Sequence, residues 1–368
     1  MISGFATPDG TANFAKRHTN VAKNHFKNFS GLTLSSIGVG TYLGNPDDLT
    51  DSLVQEAIKT SVASGINVID TAINYRAQKA ERSVGKAISE LVESGNIKRE
   101  ELFISTKNGY ITNDGDVGEE FWMNIQNSLV KPGVIKSGDI SSGYHCMTIP
   151  YLQDQLKRSM KNLGLDCIDL MYIHNAAEGQ LQDISKEEFM KKLREVFAFY
   201  ESQRNGGAIK YYGMATWECF RVPKDHPQYL SIYDIVKISK EVGGTDNGFR
   251  FIQLPYNMYL DQALTLKNQE IEGGQYSILE SSVKLGIGVF ASVPLMQSKL
   301  LAPNVLPEFG GLSKPSHRAI QFVRSTPGII APLVGQKSQI HVQENLDLLA
   351  TPVLNESEFS DLIKKLSS

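Results

Sequence analysis

The sequence predicts an α/β fold, a (β/α)8 TIM barrel with a long loop after its third strand over the mouth, and three observations lead to it. Short apolar segments alternate with segments of helical periodicity eight times, the pattern of a parallel sheet closed by its helices. Polar side chains end three consecutive strands. The first strand ends in Gly38-Val-Gly40, which does not continue as the GxGxxG fingerprint of a doubly wound open sheet, the structural alternative.

The predicted strands are short, apolar and rich in β-branched residues, as buried parallel strands are. Ile66, Val68 and Ile69 show this composition just before the chain turns polar at Asp70. In chain order, the strands are expected at residues 34–42, 65–70, 102–107, 167–174, 209–215, 249–254, 287–292 and 329–334.

Between the strands, apolar side chains recur at spacings of three and four, as Val84, Ala87, Ile88 and Leu91 do. In chain order, the helices are expected at residues 53–63, 80–92, 152–163, 187–204, 232–241, 276–285, 316–325 and 339–349, with a further short helix at 356–366.

Three parts are expected along the chain: an N-terminal arm at 1–30 that packs or stays loose, the barrel at 31–352, and a C-terminal tail or helix at 353–368. Within the barrel, residues 108–150 form a connection far longer than the usual two to six residues. Because this loop follows a strand, we expect it over the carboxyl end of the barrel, as a lid or a wall of the substrate pocket.

Composition excludes several classes of function. The chain has 368 residues, 41% of them hydrophobic, and a formal net charge of −3 without a Lys/Arg run, so no nucleic acid is expected. No apolar stretch reaches the roughly 20 residues of a membrane span, and residues 1–30 lack the apolar region of a signal peptide. Cys146, Cys167 and Cys219 are far apart without metal-ligand spacing. A cytoplasmic protein without metal or membrane partner is expected.

Asp70, Lys107 and His174 end neighbouring strands, and Tyr75 lies five residues beyond Asp70. Each alone has an ordinary structural explanation, such as a solvated lysine or a hydrogen-bonded histidine. Together they suit proton delivery to a carbonyl. Lys107 would lower the pKa of the Tyr75 phenol from about 10, Asp70 would hold Lys107, and His174 would bind the substrate oxygen. No nucleophile is paired with a base, and the hydride that such a reaction needs must come from a cofactor.

These residues resemble the motifs of the aldo-keto reductase superfamily. The chain has Asp-Thr-Ala-x-x-Tyr at 70–75, Ser-Thr-Lys at 105–107 and Asp-Leu-x-Tyr-Ile-His at 169–174, in the order that the family has them. The resemblance runs from about residue 35 to 349. It implies an oxidoreductase that uses NADPH without a Rossmann domain. It also implies Tyr75 as general acid, tuned by Lys107 and Asp70.

The resemblance further implies that the second half of the chain holds the cofactor, NADP in preference to NAD. Ala215 and Thr216 stand where the family has Ser and Asn, so only Thr216 can bond the nicotinamide carboxamide through its side chain. Tyr256 resembles the aromatic residue that stacks on the nicotinamide, and Lys337 and Ser338 suit a 2′-phosphate. The expected cofactor contacts are Gly40, Thr41, Thr216, Gln253, Tyr256, Pro294, Leu295, Lys299, Gly335, Lys337, Ser338, His341, Glu344 and Asn345.

The expected substrate pocket is aromatic, which favours an apolar or ring-containing carbonyl. Its candidate residues are Tyr42, Tyr110, Trp122, His145 and Trp217. For His145, in the long loop, a solvated position is the alternative.

An NADPH-dependent reductase of aldehydes or ketones is the function that the sequence favours, and two others stay open. One is an NADP(H)-binding redox sensor or regulatory subunit with vestigial activity, against which the complete set of four residues argues. The other is a phosphate-binding isomerase or aldolase with Lys107 as Schiff base or general base, in which Tyr75 and Asp70 have no clear task. Substrate, reaction direction and a homo-oligomeric state stay open.

Overall fold

Eight parallel strands close into a barrel in the computed structural model, which describes residues 1–302 and 305–366. The strands in chain order are β1 (Phe26–Phe29), β2 (Leu32–Ser35), β3 (Gly38–Gly40), β4 (Val68–Asp70), β5 (Phe103–Asn108), β6 (Ile168–His174), β7 (Ile209–Ala215), β8 (Phe249–Pro255), β9 (Gln269–Ile271), β10 (Gly274–Tyr276), β11 (Gly288–Ser292) and β12 (Ile329–Gly335). The barrel has the order β3-β4-β5-β6-β7-β8-β11-β12 and closes from β12 to β3. The predicted barrel is confirmed.

Helices follow the barrel strands and cover the outside of the sheet. In chain order they are α1 (Pro8–Arg17), α2 (Asp48–Ala63), α3 (Lys79–Glu93), α4 (Phe121–Ile125), α5 (Ile149–Leu163), α6 (Ala176–Gln180), α7 (Lys186–Asn205), α8 (Ile232–Gly243), α9 (Gln262–Thr265), α10 (Ile278–Leu285), α11 (Pro315–Ser325), α12 (Gln339–Asp347) and α13 (Glu356–Leu366). Tyr276 lies in β10 rather than in the helix predicted from 276, because Ser277 caps α10 by accepting the Glu280 amide.

Aromatic rings fill the barrel interior near the amino ends of its strands. The ring centroids of Phe103, Phe251 and Phe290 lie 5.3 to 6.0 Å apart, and all three side chains are buried. Leu32 and Leu34 of β2 belong to the same apolar cluster, so the β1–β2 hairpin closes this end. The carboxyl end of the barrel is left for a site.

The N-terminal arm is packed against the barrel. Pro8 to Arg17 form α1, and the Ala6 amide donates to Asp169 Oδ1 at 2.5 Å. Arg17 pairs with Glu101, two residues before β5 begins.

The predicted strand at 34–42 is wrong in its extent. Its first residues belong to β2, which pairs with β1, and the barrel strand is only Gly38–Gly40. The chain turns between them, because the Ser36 amide donates to the His25 carbonyl at 2.7 Å and Ser35 Oγ donates to the Ile37 carbonyl at 2.8 Å.

The C-terminal tail forms the predicted helix, α13, and Phe359 packs against Phe322 of α11 with ring centroids 5.5 Å apart. Residues 367 and 368 of this predicted tail lie outside the described residues. Among the described residues, no helix has the length and apolarity that crossing a bilayer requires.

The long loop at 108–150 has structure of its own. It contains α4, a π-helical turn at Gln126–Val130 and a bridge that pairs Tyr110 with His145. Tyr110 is the one described residue of this loop that lines the cavity at the barrel mouth. The loop is therefore one wall of that cavity, and the expected lid is not formed.

Candidate active site

A cavity of about 370 Å³ opens at the carboxyl ends of the barrel strands. The expected site residues that line it are Gly40, Thr41, Tyr42, Asp70, Tyr75, Tyr110, His174, Thr216, Trp217, Gln253, Pro294, Leu295 and Gly335. They come from several strand ends, as in barrel enzymes. Among the described lining residues, Asp70 is the one that carries a formal charge.

A buried ion pair lies beneath the cavity. Lys107 Nζ on β5 is 2.5 Å from Asp70 Oδ2 on β4, and it donates a second hydrogen bond to the Thr71 carbonyl at 2.7 Å. Asp70 Oδ1 accepts from Ser105 Oγ at 2.7 Å and from Gln253 Nε2 at 3.0 Å. Because the ammonium and both carboxylate oxygens have hydrogen-bond partners, the two charges tolerate burial.

Tyr75 and His174 stand over this pair. Lys107 Nζ is 4.8 Å from the centroid of the Tyr75 ring, and the rings of Tyr75 and His174 meet edge to face at 5.8 Å. The Tyr42 ring packs on the other side of Tyr75, at 5.0 Å. The structure thus brings the four predicted catalytic side chains together.

Burial dominates the protonation of these groups. It raises the pKa of Tyr75 well above 10, with the Asp70 charge adding to the effect, so the net shift is opposite in direction to the lowering expected from Lys107. Burial lowers the pKa of Lys107, and Asp70 opposes that shift. Burial also lowers the pKa of His174 well below 6.5, so this imidazole is neutral at pH 7. Its Nδ1 has no hydrogen-bond partner among the described residues.

The backbone after Tyr75 makes a left-handed turn at Arg76, Ala77 and Gln78, with φ of 50°, 51° and 73°. For residues other than glycine, this region costs roughly 1–2 kcal/mol per residue. The Tyr75 carbonyl accepts from the Ala80 amide at 3.4 Å, which closes the turn onto the first turn of α3. Nothing in the sequence predicts this conformation, since none of the three residues is Gly or Asn.

Thr216 is engaged by a residue that the sequence analysis missed. Its hydroxyl donates to Glu178 Oε1 at 2.6 Å, and the same oxygen accepts the amides of Trp217 at 2.8 Å and Glu218 at 2.6 Å. Because its proton is already used, the Thr216 hydroxyl can meet a carboxamide only as an acceptor, and the expected contact stays a prediction. Glu178 instead fixes the rim segment that carries Trp217.

Tyr256 does not line the cavity, and its predicted stacking on the nicotinamide is wrong. The ring is fully buried behind the barrel wall, stacked on Phe322 at 5.8 Å, with its hydroxyl 3.1 Å from Thr326 Oγ1. Since it follows the last residue of β8, its side chain faces the outer helices. Gln253, inside the barrel, does line the cavity, and its donated bond to Asp70 leaves its Oε1 available.

The residues expected around the adenosine phosphate lie beyond the cavity, at the start of α12. Ser338 Oγ accepts the His341 amide at 3.3 Å and caps the helix. Lys337 and Lys299 make no ion pair in the described part of the chain, so two cations are free for an anion. A Cβ placed on Gly44 would lie 3.2 Å from Lys337 Nζ, so the ammonium borders the loop after β3.

Two other expected adenine contacts are held by the protein itself. Glu344 accepts the Ser316 hydroxyl, and Asn345 is buried with its Nδ2 donating to Gln336 Oε1 at 2.7 Å. Gln336 in turn donates to Ser61 Oγ at 2.6 Å, so Asn345 belongs to a chain of buried polar side chains between α12 and α2.

The predicted substrate residues divide into two groups. Tyr42, Tyr110 and Trp217 line the cavity. The hydroxyl oxygen of Tyr110 accepts a hydrogen bond from Asn175 Nδ2 at 3.2 Å. Trp122 does not line it, because α4 carries this residue to the surface, where 44% of it is exposed. Asn175, which follows His174 directly in the sequence, lines the cavity and was missed.

His145 is neither solvated nor a lining residue. It is fully buried, its Nε2–H donates to the His174 carbonyl at 2.8 Å, and its Nδ1 accepts from Gln180 Nε2 at 3.1 Å. Burial lowers its pKa to about 4, so the ring is neutral and holds the end of β6 from behind.

The model of the aldo/keto reductase family matches residues 36–308. The "Uncharacterized oxidoreductase YqkF" of Bacillus subtilis (strain 168) is 22% identical over 338 residues, 90% of this chain and 93% of that protein. "Aldo-keto reductase family 1 member C2" of Homo sapiens is 30% identical over 145 residues, 39% of this chain and only 32% of that protein.

Solved structures show the same fold. An aldo/keto reductase from Klebsiella pneumoniae, solved with NADP and acetate, aligns with a TM-score of 0.60 at 18% identity, over 94% of this chain and 95% of that one. The aldo-keto reductase AKR11C1 from Bacillus halodurans, in its holo form, aligns with a TM-score of 0.60 at 20% identity, over 92% and 95%. At these identities the likeness shows the fold alone.

Proposed function

The chain belongs to the aldo/keto reductase family, and from this premise we propose that it is an NADPH-dependent reductase of aldehydes or ketones with Tyr75 as general acid. The observation that carries the proposal is the convergence of Tyr75, the Asp70–Lys107 pair and His174 on one cavity. When bound, the nicotinamide would supply hydride to the carbonyl carbon.

The side chains of the site then protonate and orient the carbonyl oxygen. Tyr75 donates its proton to that oxygen, and the phenolate left behind is stabilised by Lys107, whose ammonium lies 4.8 Å from the ring centroid. The neutral His174 orients the oxygen by donating a hydrogen bond, and it does not compete with Tyr75 as an acid, because an imidazolium is unfavourable there.

Several features support NADPH as the cofactor. Thr41, Pro294, Leu295 and Gly335 line the cavity on the side that leads to α12. Lys337, without an acidic partner among the described residues, suits the 2′-phosphate at the capped start of that helix. NADP in the Klebsiella structure agrees with this assignment.

The lining of the cavity favours an uncharged, apolar or ring-containing carbonyl substrate. Tyr42 and Trp217 are 56% and 41% exposed at its rim, and Tyr110 forms the wall next to His174, at 5.1 Å between rings. Asp70 is the one charged group among the described lining residues, and it is already paired with Lys107. A charged substrate would find no partner of opposite sign here.

The isomerase or aldolase hypothesis is not supported by the position of Lys107. Its ammonium is fully buried, donates to Asp70 and to the Thr71 carbonyl, and is not part of the cavity lining. A Schiff base needs an accessible, deprotonated amine.

The test is the loss of NADPH absorbance at about 340 nm with a panel of aldehydes and ketones, run on the wild type and on Tyr75→Phe. General acid catalysis is worth roughly 10²–10⁴-fold, so the variant is expected to lose about that much. Cofactor binding is followed separately by quenching of Trp217 fluorescence, with Trp122→Phe removing the other tryptophan. Binding of NADPH with no carbonyl reduced, and no effect of Tyr75→Phe, would favour the sensor hypothesis instead.

A further inference from the structure

The left-handed turn at 76–78 is held from outside by a segment of the long loop. The Ala77 carbonyl accepts from the Gly115 amide at 2.9 Å, and Gln78 Nε2 donates to the Asn113 carbonyl at 3.0 Å. Both contacts come from residues 113–116, which we call the acidic segment. Because left-handed non-glycine residues persist only where their surroundings enforce them, these contacts account for the conformation.

Ion pairs fasten the acidic segment to the first turns of α3. Both oxygens of Asp114 accept from Arg82, through Nη1 and Nη2, each at 2.7 Å. Asp116 also pairs with Arg82, and it accepts from Lys79 Nζ at 2.8 Å. Arg82 is 28% and Asp114 23% exposed at the side chain, so this fork is partly shielded from solvent.

The turn is fixed on its other side by residues of α2 and α3. Arg76 Nη1 donates to Asp51 Oδ1 at 2.5 Å, and Nη2 donates to Ser83 Oγ at 3.0 Å. The residue directly before this clamped turn is Tyr75, whose carbonyl is bonded into α3 through the Ala80 amide. The direction of the phenol therefore depends on the turn.

We propose that Asp114 and Asp116 are positioning residues for Tyr75. Their ion pairs with Arg82 and Lys79 hold the acidic segment against the left-handed turn at 76–78. This turn in turn holds the phenol of Tyr75 where it can protonate a carbonyl oxygen. The proposal rests on the proposed function, since it takes Tyr75 as the proton donor. It gives the long loop a role in the reaction although the loop does not cover the cavity.

The test begins with the double variant Asp114→Asn/Asp116→Asn in the NADPH oxidation assay. We expect kcat to fall by roughly tenfold, because small misplacements of a reacting group cost about this much or more. The Kd of NADPH, measured by Trp217 fluorescence, is expected to stay unchanged. In a Tyr75→Phe background, the same two substitutions should have no further effect, because they act through the phenol that is already gone.

A rescue variant separates positioning from general stability. Glycine adopts the left-handed region without strain, so Ala77→Gly should restore most of the kcat that the double variant loses. The matched control is Glu90→Gln, which removes the 2.7 Å pair between Glu90 of α3 and Lys59 of α2, with side chains 41% and 27% exposed. This control should leave kcat unchanged.

Several outcomes would overturn the proposal: full kcat in the double variant, an equal loss in the Tyr75→Phe background, or no rescue by Ala77→Gly. If the double variant does not fold, Arg82→Lys keeps the charge but loses the two-pronged contact, and a several-fold lower kcat is expected. If Tyr75→Phe alone keeps full activity, both the proposed function and this proposal are contradicted. If Tyr75→Phe is inactive and the double variant is fully active, only the positioning role is contradicted.

Discussion

Lys107 Nζ and Asp70 Oδ2 are 2.5 Å apart beneath the barrel mouth, with side chains 0% and 5% exposed. Two buried charges of this kind depend on each other, because removing one leaves the other desolvated and unpaired. The pair therefore links the stability of the barrel to the chemistry that we propose for it.

Asp70→Asn should cost roughly 3–5 kcal/mol of unfolding free energy, since Lys107 then lacks its counter-charge. The double variant Asp70→Asn/Lys107→Met should be less destabilised than Asp70→Asn alone, although both lose activity. Urea unfolding measures the free energies, with NADPH oxidation in parallel. Additive losses in the double variant would show that the two charges are energetically independent.

The acceptor Glu178 Oε1 gives a second prediction. It accepts three hydrogen bonds from the segment that carries Trp217, so Glu178→Ala leaves those donors unsatisfied and should cost roughly 1–3 kcal/mol. The emission of Trp217, read in a Trp122→Phe background, is expected to shift to the red as the rim loosens, and KM to rise. An unchanged spectrum would mean that other contacts hold the rim.

The sequence predicts the part of the site that periodicity controls. Asp70, Lys107 and His174 end apolar strands, and parallel strands in a barrel bring such ends to one mouth, which the structure confirms. Tyr256 also follows a strand, yet its side chain faces outward, because successive residues alternate between faces and the exact end of a strand decides which one.

Residues in long loops escape this kind of prediction. His145 and Trp122 share one loop, but one is fully buried and the other is 44% exposed, and no period relates them. Glu178 was missed because its role depends on amides of the next βα connection, which only tertiary structure brings near. Asn175 could have been found, since it directly follows the predicted His174.

His25 should make the fold sensitive to acid. It is buried between the Gly65 carbonyl, 3.0 Å from Nε2, and Ser36 Oγ, 3.1 Å from Nδ1, and burial lowers its pKa to about 4 from 6.5. Below pH 6.5 His25 is protonated in the unfolded chain, whereas in the folded protein it stays neutral down to about pH 4. The free energy of unfolding therefore falls as the pH decreases from 6.5 to about 4. The loss for this residue is roughly 3 kcal/mol.

His25→Gln should therefore show a flatter dependence of unfolding free energy on pH between 6.5 and 4, measured by urea unfolding at each pH. The comparison with wild type matters, because Asp169 and Glu81, whose pKa values are raised by burial, contribute with the opposite sign in both proteins. The exposed His226 provides the control, and His226→Gln should leave the profile as it is. Parallel profiles for His25→Gln and wild type would contradict the prediction.

Lys337→Ala should weaken NADPH without weakening NADH. Its ammonium makes no ion pair in the described part of the chain. A charge-assisted bond to a 2′-phosphate is worth roughly 1.5–3 kcal/mol, so the Kd of NADPH should rise about tenfold or more. NADH lacks that phosphate, which makes it the matched ligand for the same variant. Titration of Trp217 fluorescence gives both constants. An equal loss of affinity for NADPH and NADH would mean that Lys337 holds the start of α12 in shape and does not bind the phosphate. In that case Lys337→Arg, which keeps the charge, should not selectively restore the affinity for NADPH.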